Sequence, residues 1–152
     1  MINDRVVLGF DAAGRDLALA AVVDAIERTG RPVHIENPAG IADYPDVAER
    51  VCAVIREPGV HSGILICGTG IGMSIAANKF PGIFAARCTD VYSVEKARRN
   101  AGANVLTMGS EVTTPAIALT LVATWLRFDF DSERSKPKVA RVRAFDSART
   151  NR

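Results

Sequence analysis

Between Ser62 and Lys79 an apolar strand, a thiol, a glycine-rich turn and a helix start follow one another without a break, and few folds can hold such a segment. Ser62-Gly63-Ile64-Leu65-Ile66 is rich in branched residues and bounded by small ones, the pattern of a strand buried in a parallel sheet. Cys67 stands at its carboxyl end. Gly68, Gly70 and Gly72 lack the side chains that would keep a ligand from the backbone N–H groups, and the helix after them aims its positive end at the same place. An enediolate, carboxylate or phosphate oxygen fits such a turn. Glycine turns also arise for steric reasons alone, but Cys67 and Thr69 beside this one add a base or nucleophile and a hydroxyl.

The rest of the chain repeats the same alternation. Val6–Phe10, Pro32–Ile35, Ile64–Cys67, Ile83–Ala86 and Asn104–Met108 read as strands. Asp16–Thr29, Val47–Arg56, Gly72–Lys79, Val91–Asn100 (capped by Asp90) and Thr114–Arg127 read as helices. The expected fold is therefore α/β, a Rossmann-like doubly wound five-stranded parallel sheet with helices on both faces. Residues 1–130 form the domain. Residues 131–152 form a basic C-terminal arm, carrying Arg134, Lys136, Lys138, Arg141 and Arg143, too poor in apolar residues to fold alone and expected to pack on the body or on a partner subunit.

A length of 152 residues with 48% hydrophobic content suits one compact domain. Nineteen basic against 17 acidic residues is too even a balance for a nucleic-acid protein. Three cysteines without paired spacing argue against a disulfide framework and for a reducing compartment, the cytoplasm. No signal region or apolar run of bilayer-spanning length is present, so no membrane partner is expected. In open parallel sheets ligands bind beyond the carboxyl ends of the strands where the strand order reverses, which places Asp11, directly after the first strand, beside Cys67. Tyr44, in the loop after the second strand, can reach the same crevice. A receiver-type phosphoacceptor needs a carboxylate where this chain has the Cys67 thiol.

Five segments together carry a resemblance: Asp11-x-x-Gly14, Asp43-Tyr44-Pro45, the whole run Cys67–Lys79, Tyr92-Ser93 with Ala97-Arg98-Arg99, and Asn104–Gly109. In this order they resemble type B ribose-5-phosphate isomerase, a family that also contains galactose-6-phosphate isomerase subunits and tetrose-phosphate isomerases. The resemblance implies interconversion of an aldose and a ketose phosphate through a cis-enediolate, without metal or cofactor. Cys67 matches the proton-abstracting cysteine, and an electropositive turn favours a thiolate. Thr69 would assist it. Gly68, Gly70 and Gly72 would hold the enediolate oxygen, Asp11 and Tyr44 the sugar hydroxyls. For Asp11 a helix-capping role competes, and Asn78 is expected to fix the turn. Cys52 and Cys88 read as buried, inert thiols.

The departures bear on the substrate. Ala12 stands where the family commonly has a histidine, and Asn100-Ala101 stands where it has His-Asn, the histidine that helps to open the sugar ring. His34 and His61 read as ordinary strand or loop residues. Glu111 replaces a frequent arginine of the phosphate site, and Arg134-Ser135-Lys136-Pro137-Lys138-Val139 replaces an arginine-rich element, leaving Arg134 and Lys138 as cations, with a solvated basic arm as the competing reading. Three readings follow: an isomerase for an open-chain tetrose 4-phosphate or a pentose 5-phosphate, an isomerase or epimerase for a sugar without phosphate, and a hetero-oligomer subunit or non-catalytic sugar-phosphate binding protein. A nucleotide- or flavin-binding module ranks last. The family completes its crevice across a dimer, which implies a homodimer or dimer of dimers in which Asn100 and the basic tail serve the neighbour's Cys67.

Overall fold

The computed structural model describes residues 4–149, the His61 side chain apart. Strand β1 (Arg5–Phe10) leads into helix α1 over residues 15–27, whose middle, Ala18–Val22, is π-helical. Then come β2 (Val33–Glu36), α2 (Tyr44–Ile55), β3 (Val60–Cys67), α3 (Ile71–Ala77), β4 (Ala85–Arg87), α4 (Val91–Arg99), β5 (Val105–Gly109) and α5 (Pro115–Arg127). A 3₁₀ turn, Glu133–Ser135, precedes the closing helix α6 (Lys136–Arg149). All strand pairs are parallel, in the order β2-β1-β3-β5-β4.

That order fulfils the expectation of a doubly wound sheet and adds a detail. The chain turns one way from β1 to β2 and then crosses back past β1 to reach β3 on its other side, so the crevice between β1 and β3 is the place where the winding reverses. Strand β5 then inserts between β3 and β4. In register, Ile66 faces Phe10 on one side and Met108 on the other, and Cys67 faces Gly109. The chain leaving β5 therefore runs beside Cys67.

Alternate side chains of the strands build two cores. On one face Val6, Leu8, Phe10, Ile64, Ile66, Leu106 and Met108 pack against α1 and α5, where Trp125 is fully buried. Its indole N–H donates to the Ser62 hydroxyl at 3.0 Å, giving both buried polar atoms a partner. On the other face Val7, Leu65, Cys67 and Val105 meet Val47, Val51, Cys52, Met73 and Ala77. Each fully buried aliphatic side chain contributes about 1.5–3 kcal/mol, so these two layers hold the sheet and its carboxyl edge rigid.

Several boundaries differ from the sequence reading for identifiable reasons. Helix α2 begins at Tyr44, with Asp43 at the N-cap position and Pro45 in the first turn, where a missing N–H costs nothing. Tyr44 is thus a helix residue and not a loop residue. Strand β3 starts at Val60, adding Val60 and His61 to the expected run. Strand β4 is shifted to Ala85–Arg87 because side-chain amides take the backbone before it: Asn104 accepts from the Phe84 N–H at 2.8 Å. The Asp90 and Thr114 caps form as the sequence suggests, accepting from the Ser93 and Ile117 N–H groups.

Beyond α5 the chain is fastened by Arg98. Arg98 is 6% exposed, and its guanidinium lies 4.6 Å from the Trp125 ring centre and donates to the Phe128 and Ala103 carbonyls and the Asp129 carboxylate. Burial pulls this arginine below its ordinary value, with Asp129 opposing. Pro137 sits in the first turn of α6 and Val139 is that helix's buried residue. No helix among the described residues is long and apolar enough to cross a membrane.

Candidate active site

The turn after β3 is tied down from every side. Gly70 adopts φ +77°, and a Cβ there would stand 2.8 Å from the Met108 carbonyl carbon, so only glycine fits the approach of the turn to β5. The Gly70 carbonyl accepts from the Thr107 hydroxyl at 2.9 Å, and its N–H donates to the Cys67 Sγ at 3.2 Å. The Ile71 N–H donates to the Thr69 Oγ1 at 3.3 Å. From the β5 side, the Ser110 and Glu111 N–H groups donate to the Cys67 and Gly68 carbonyls, each at 2.9 Å. The Gly68 and Thr69 N–H groups take no backbone partner among the described residues.

Cys67 is 5% exposed and accepts a backbone N–H. The other two thiols differ. Burial pushes Cys52 up to about 12 against a smaller opposing effect of Arg56, and burial, with Asp90 adding to it, pushes Cys88 up to about 11. Both stay protonated and inert at neutral pH, as the sequence reading expects.

Asp11 reaches the crevice by its backbone, donating to the Ile66 carbonyl at 3.3 Å, while its carboxylate accepts from the Gly14 N–H at 3.0 Å. This bond closes the turn before α1, whose N-cap residue is Gly14 and carries no side-chain cap. Tyr44 lies against the far end of the turn, since a Cβ on Gly72 would stand 2.9 Å from its ring. Asn78, after α3, is bound to β4 by its amide, which donates to the Ala85 carbonyl and accepts from its N–H.

Two charged side chains at the turn escape the strand-by-strand reading. The Glu111 carboxylate lies over Gly68, where a Cβ would stand 2.9 Å from Oε1. The sequence marks Glu111 as unusual, but only the insertion of β5 beside β3 tells which way it faces. Arg87, the last residue of β4, donates its Nε to the Thr69 carbonyl at 2.7 Å. An arginine at the carboxyl end of a strand was the available signal, hidden by ending that strand at Ala86.

The remaining candidates lie elsewhere in the chain. Asn100, at the end of α4, and Lys138, in α6, line a cavity of about 330 Å³ with Asn78, Ala85, Ser135 and Val139. Neither Cys67 nor Asp11 nor Tyr44 lines it. Arg134 is exposed in the 3₁₀ turn. His34 lies in β2, bonded to Glu36, and His61 lies in β3. No group of three or more His, Cys, Asp and Glu side chains among the described residues could hold a metal ion.

Comparisons with known proteins agree on one family. The ribose/galactose isomerase family model matches residues 6–142. Ribose-5-P isomerase B of Listeria innocua is 47% identical over 103 residues, covering 68% of this chain and 70% of that protein. D-erythrulose-4-phosphate isomerase of Pectobacterium atrosepticum is 38% identical over 140 residues, covering 90% of this chain and 91% of that protein. Among solved structures, ribose-5-phosphate isomerase B of Clostridium thermocellum superposes with a TM-score of 0.87 at 34% identity, over 95% of this chain and 98% of that one.

Proposed function

The chain belongs to the ribose/galactose isomerase family, and from that premise we propose that it interconverts the aldose and ketose forms of a tetrose 4-phosphate or pentose 5-phosphate with Cys67 as the base. The observation that carries the assignment of the base is the hydrogen bond from the Gly70 N–H to the Cys67 sulfur at 3.2 Å, at the carboxyl end of β3.

The Cys67 thiolate takes the proton from C2 of the aldose. The electron pair of that C–H bond forms the C1=C2 double bond, and the carbonyl π pair moves onto O1. The Gly68 and Thr69 N–H groups hold this oxygen, a role worth about 3 kcal/mol per donor in comparable sites. The Thr69 hydroxyl and Gly72 complete the cradle. The O2 proton passes to O1, the carbonyl re-forms at C2, and the Cys67 thiol returns its proton to C1. Asp11 and Tyr44 hold the sugar hydroxyls.

Two observations favour the tetrose. A 4-phosphorylated tetrose has no free hydroxyl that closes a five-membered ring, so Asn100 and Ala12 leave no ring-opening step undone. The similarity to the erythrulose-4-phosphate isomerase also extends over 90% of the chain. Asn100, Arg134 and Lys138 act in trans: a second copy brings them to this Cys67, in a homodimer or dimer of dimers. Residues 1–130 are the isomerase domain and residues 131–152 the arm. The three unpaired thiols suit the cytoplasm.

The test is NMR-monitored exchange of the C2 proton with D2O, using purified protein against tetrose, pentose and hexose phosphates and their free sugars. Exchange with the tetrose or pentose phosphate, lost in Cys67→Ala, is expected. No exchange by the single chain with any sugar overturns catalysis by a homo-oligomer.

A further inference from the structure

We propose that Arg87 is a positioning residue for Cys67, acting through the peptide between Thr69 and Gly70. This rests on Cys67 being the base. One amide plane connects the two side chains: its carbonyl, that of Thr69, accepts from the Arg87 Nε at 2.7 Å, and its N–H, that of Gly70, donates to the Cys67 Sγ at 3.2 Å. A charge-assisted hydrogen bond on the carbonyl polarises the amide and strengthens the N–H as a donor. The cation is thereby felt at the sulfur without touching it.

The plane is held in this orientation by its neighbours. The next carbonyl, that of Gly70, is fixed by the Thr107 hydroxyl, and φ of +77° at Gly70 turns the N–H back toward β3. The charges around Cys67 give the arrangement its use. Asp11 follows β1, and the Glu111 carboxylate, following β5, lies over Gly68. From α2 come Tyr44, against Gly72, and Cys52, in the same apolar cluster as Cys67 and held protonated by burial. Two carboxylates thus border the turn, and Arg87 is a cation hydrogen-bonded to it.

Arg87 is exposed, so its replacement removes no core contact. In R87Q the acid limb of the kcat profile is expected to move up by about half a pH unit, a loss of about threefold in thiolate on that limb, with KM unchanged. R87K keeps a cationic donor and is expected to recover most of the parent profile. The Gly70 amide proton, read by NMR without turnover, moves upfield in R87Q. An unmoved profile and an unmoved Gly70 resonance overturn the proposal, and a raised KM with an unmoved profile makes Arg87 a substrate contact instead. Cys67→Ala, assayed in parallel, separates the two readings: near-normal activity there overturns both Cys67 as base and Arg87 as its positioner, whereas a dead variant beside an unmoved R87Q profile overturns Arg87 alone.

Discussion

At the Cys67 turn every backbone carbonyl from Cys67 to Gly70 is taken by another part of the same chain, whereas the Asn100 and Lys138 side chains at the cavity under α6 take no hydrogen-bond or ion-pair partner among the described residues. The first region is finished within one chain. The second has polar groups beside an apolar wall. The turn is locked by glycine stereochemistry and by bonds from β4 and β5, the fixed geometry that the base proposed there would need. If Asn100 and Lys138 bind phosphate as proposed, they meet their ligand with no partner of their own to give up. The difference separates a region that one chain locks by its own bonds from one that it does not.

Breaking the finished region has the largest expected effect. Cys67→Ala should lower turnover by about 10²–10⁴-fold while the far-UV circular dichroism stays that of the parent. Gly70→Ala forces a side chain into a left-handed backbone and against Met108, which should cost about 1–3 kcal/mol in a denaturant titration and reduce turnover as well. On the unfinished side, Lys138→Ala should raise KM for phosphorylated substrates about tenfold, the worth of one hydrogen bond to a charged group, with little change in kcat. Equal losses with free sugars would contradict a phosphate role for Lys138.

Two smaller effects sharpen the contrast. Cys52 and Cys88 ionise in the unfolded chain near the ordinary value of 9.0 but in the folded one only at about 12 and about 11. The folded state therefore holds protons that the unfolded state gives up, and stability should fall as pH rises from about 9 toward 11. Cys52→Ala should flatten that fall in thermal melts followed from about pH 9 upward. Last, Glu111→Gln removes a negative charge over Gly68 and should lower KM for the phosphorylated substrate a few fold, an effect that added salt should diminish.

Much of this was legible in the chain. Parallel strands, the two capped helices after Asp90 and Thr114, and the crevice shared by Asp11 and Cys67 follow from periodicity, capping residues and the rule of the switch point. The family could be read from the Cys67–Lys79 run together with the four other segments in their order. What stayed hidden depends on contacts far apart in sequence. Pro45 reads as a loop until Asp43 is seen at the N-cap position before it. Arg87 and Glu111 are 24 positions apart and flank one turn only because β5 lies between β3 and β4. Strand order of that kind is decided by packing, and neither hydrophobic period nor turn chemistry encodes it.

The attachment of Asn78 to β4 has a meaning outside the reaction. A sheet that ends in a short strand offers unpaired backbone to any other extended chain, and such a margin can seed fibrils or runaway oligomers. Asn78 acts there as a one-residue surrogate strand, its amide matching both the donor and the acceptor of Ala85 at 2.8 and 2.9 Å. At this border, a strand only three residues long, the Ala85 backbone is thereby closed to any other chain by a side chain.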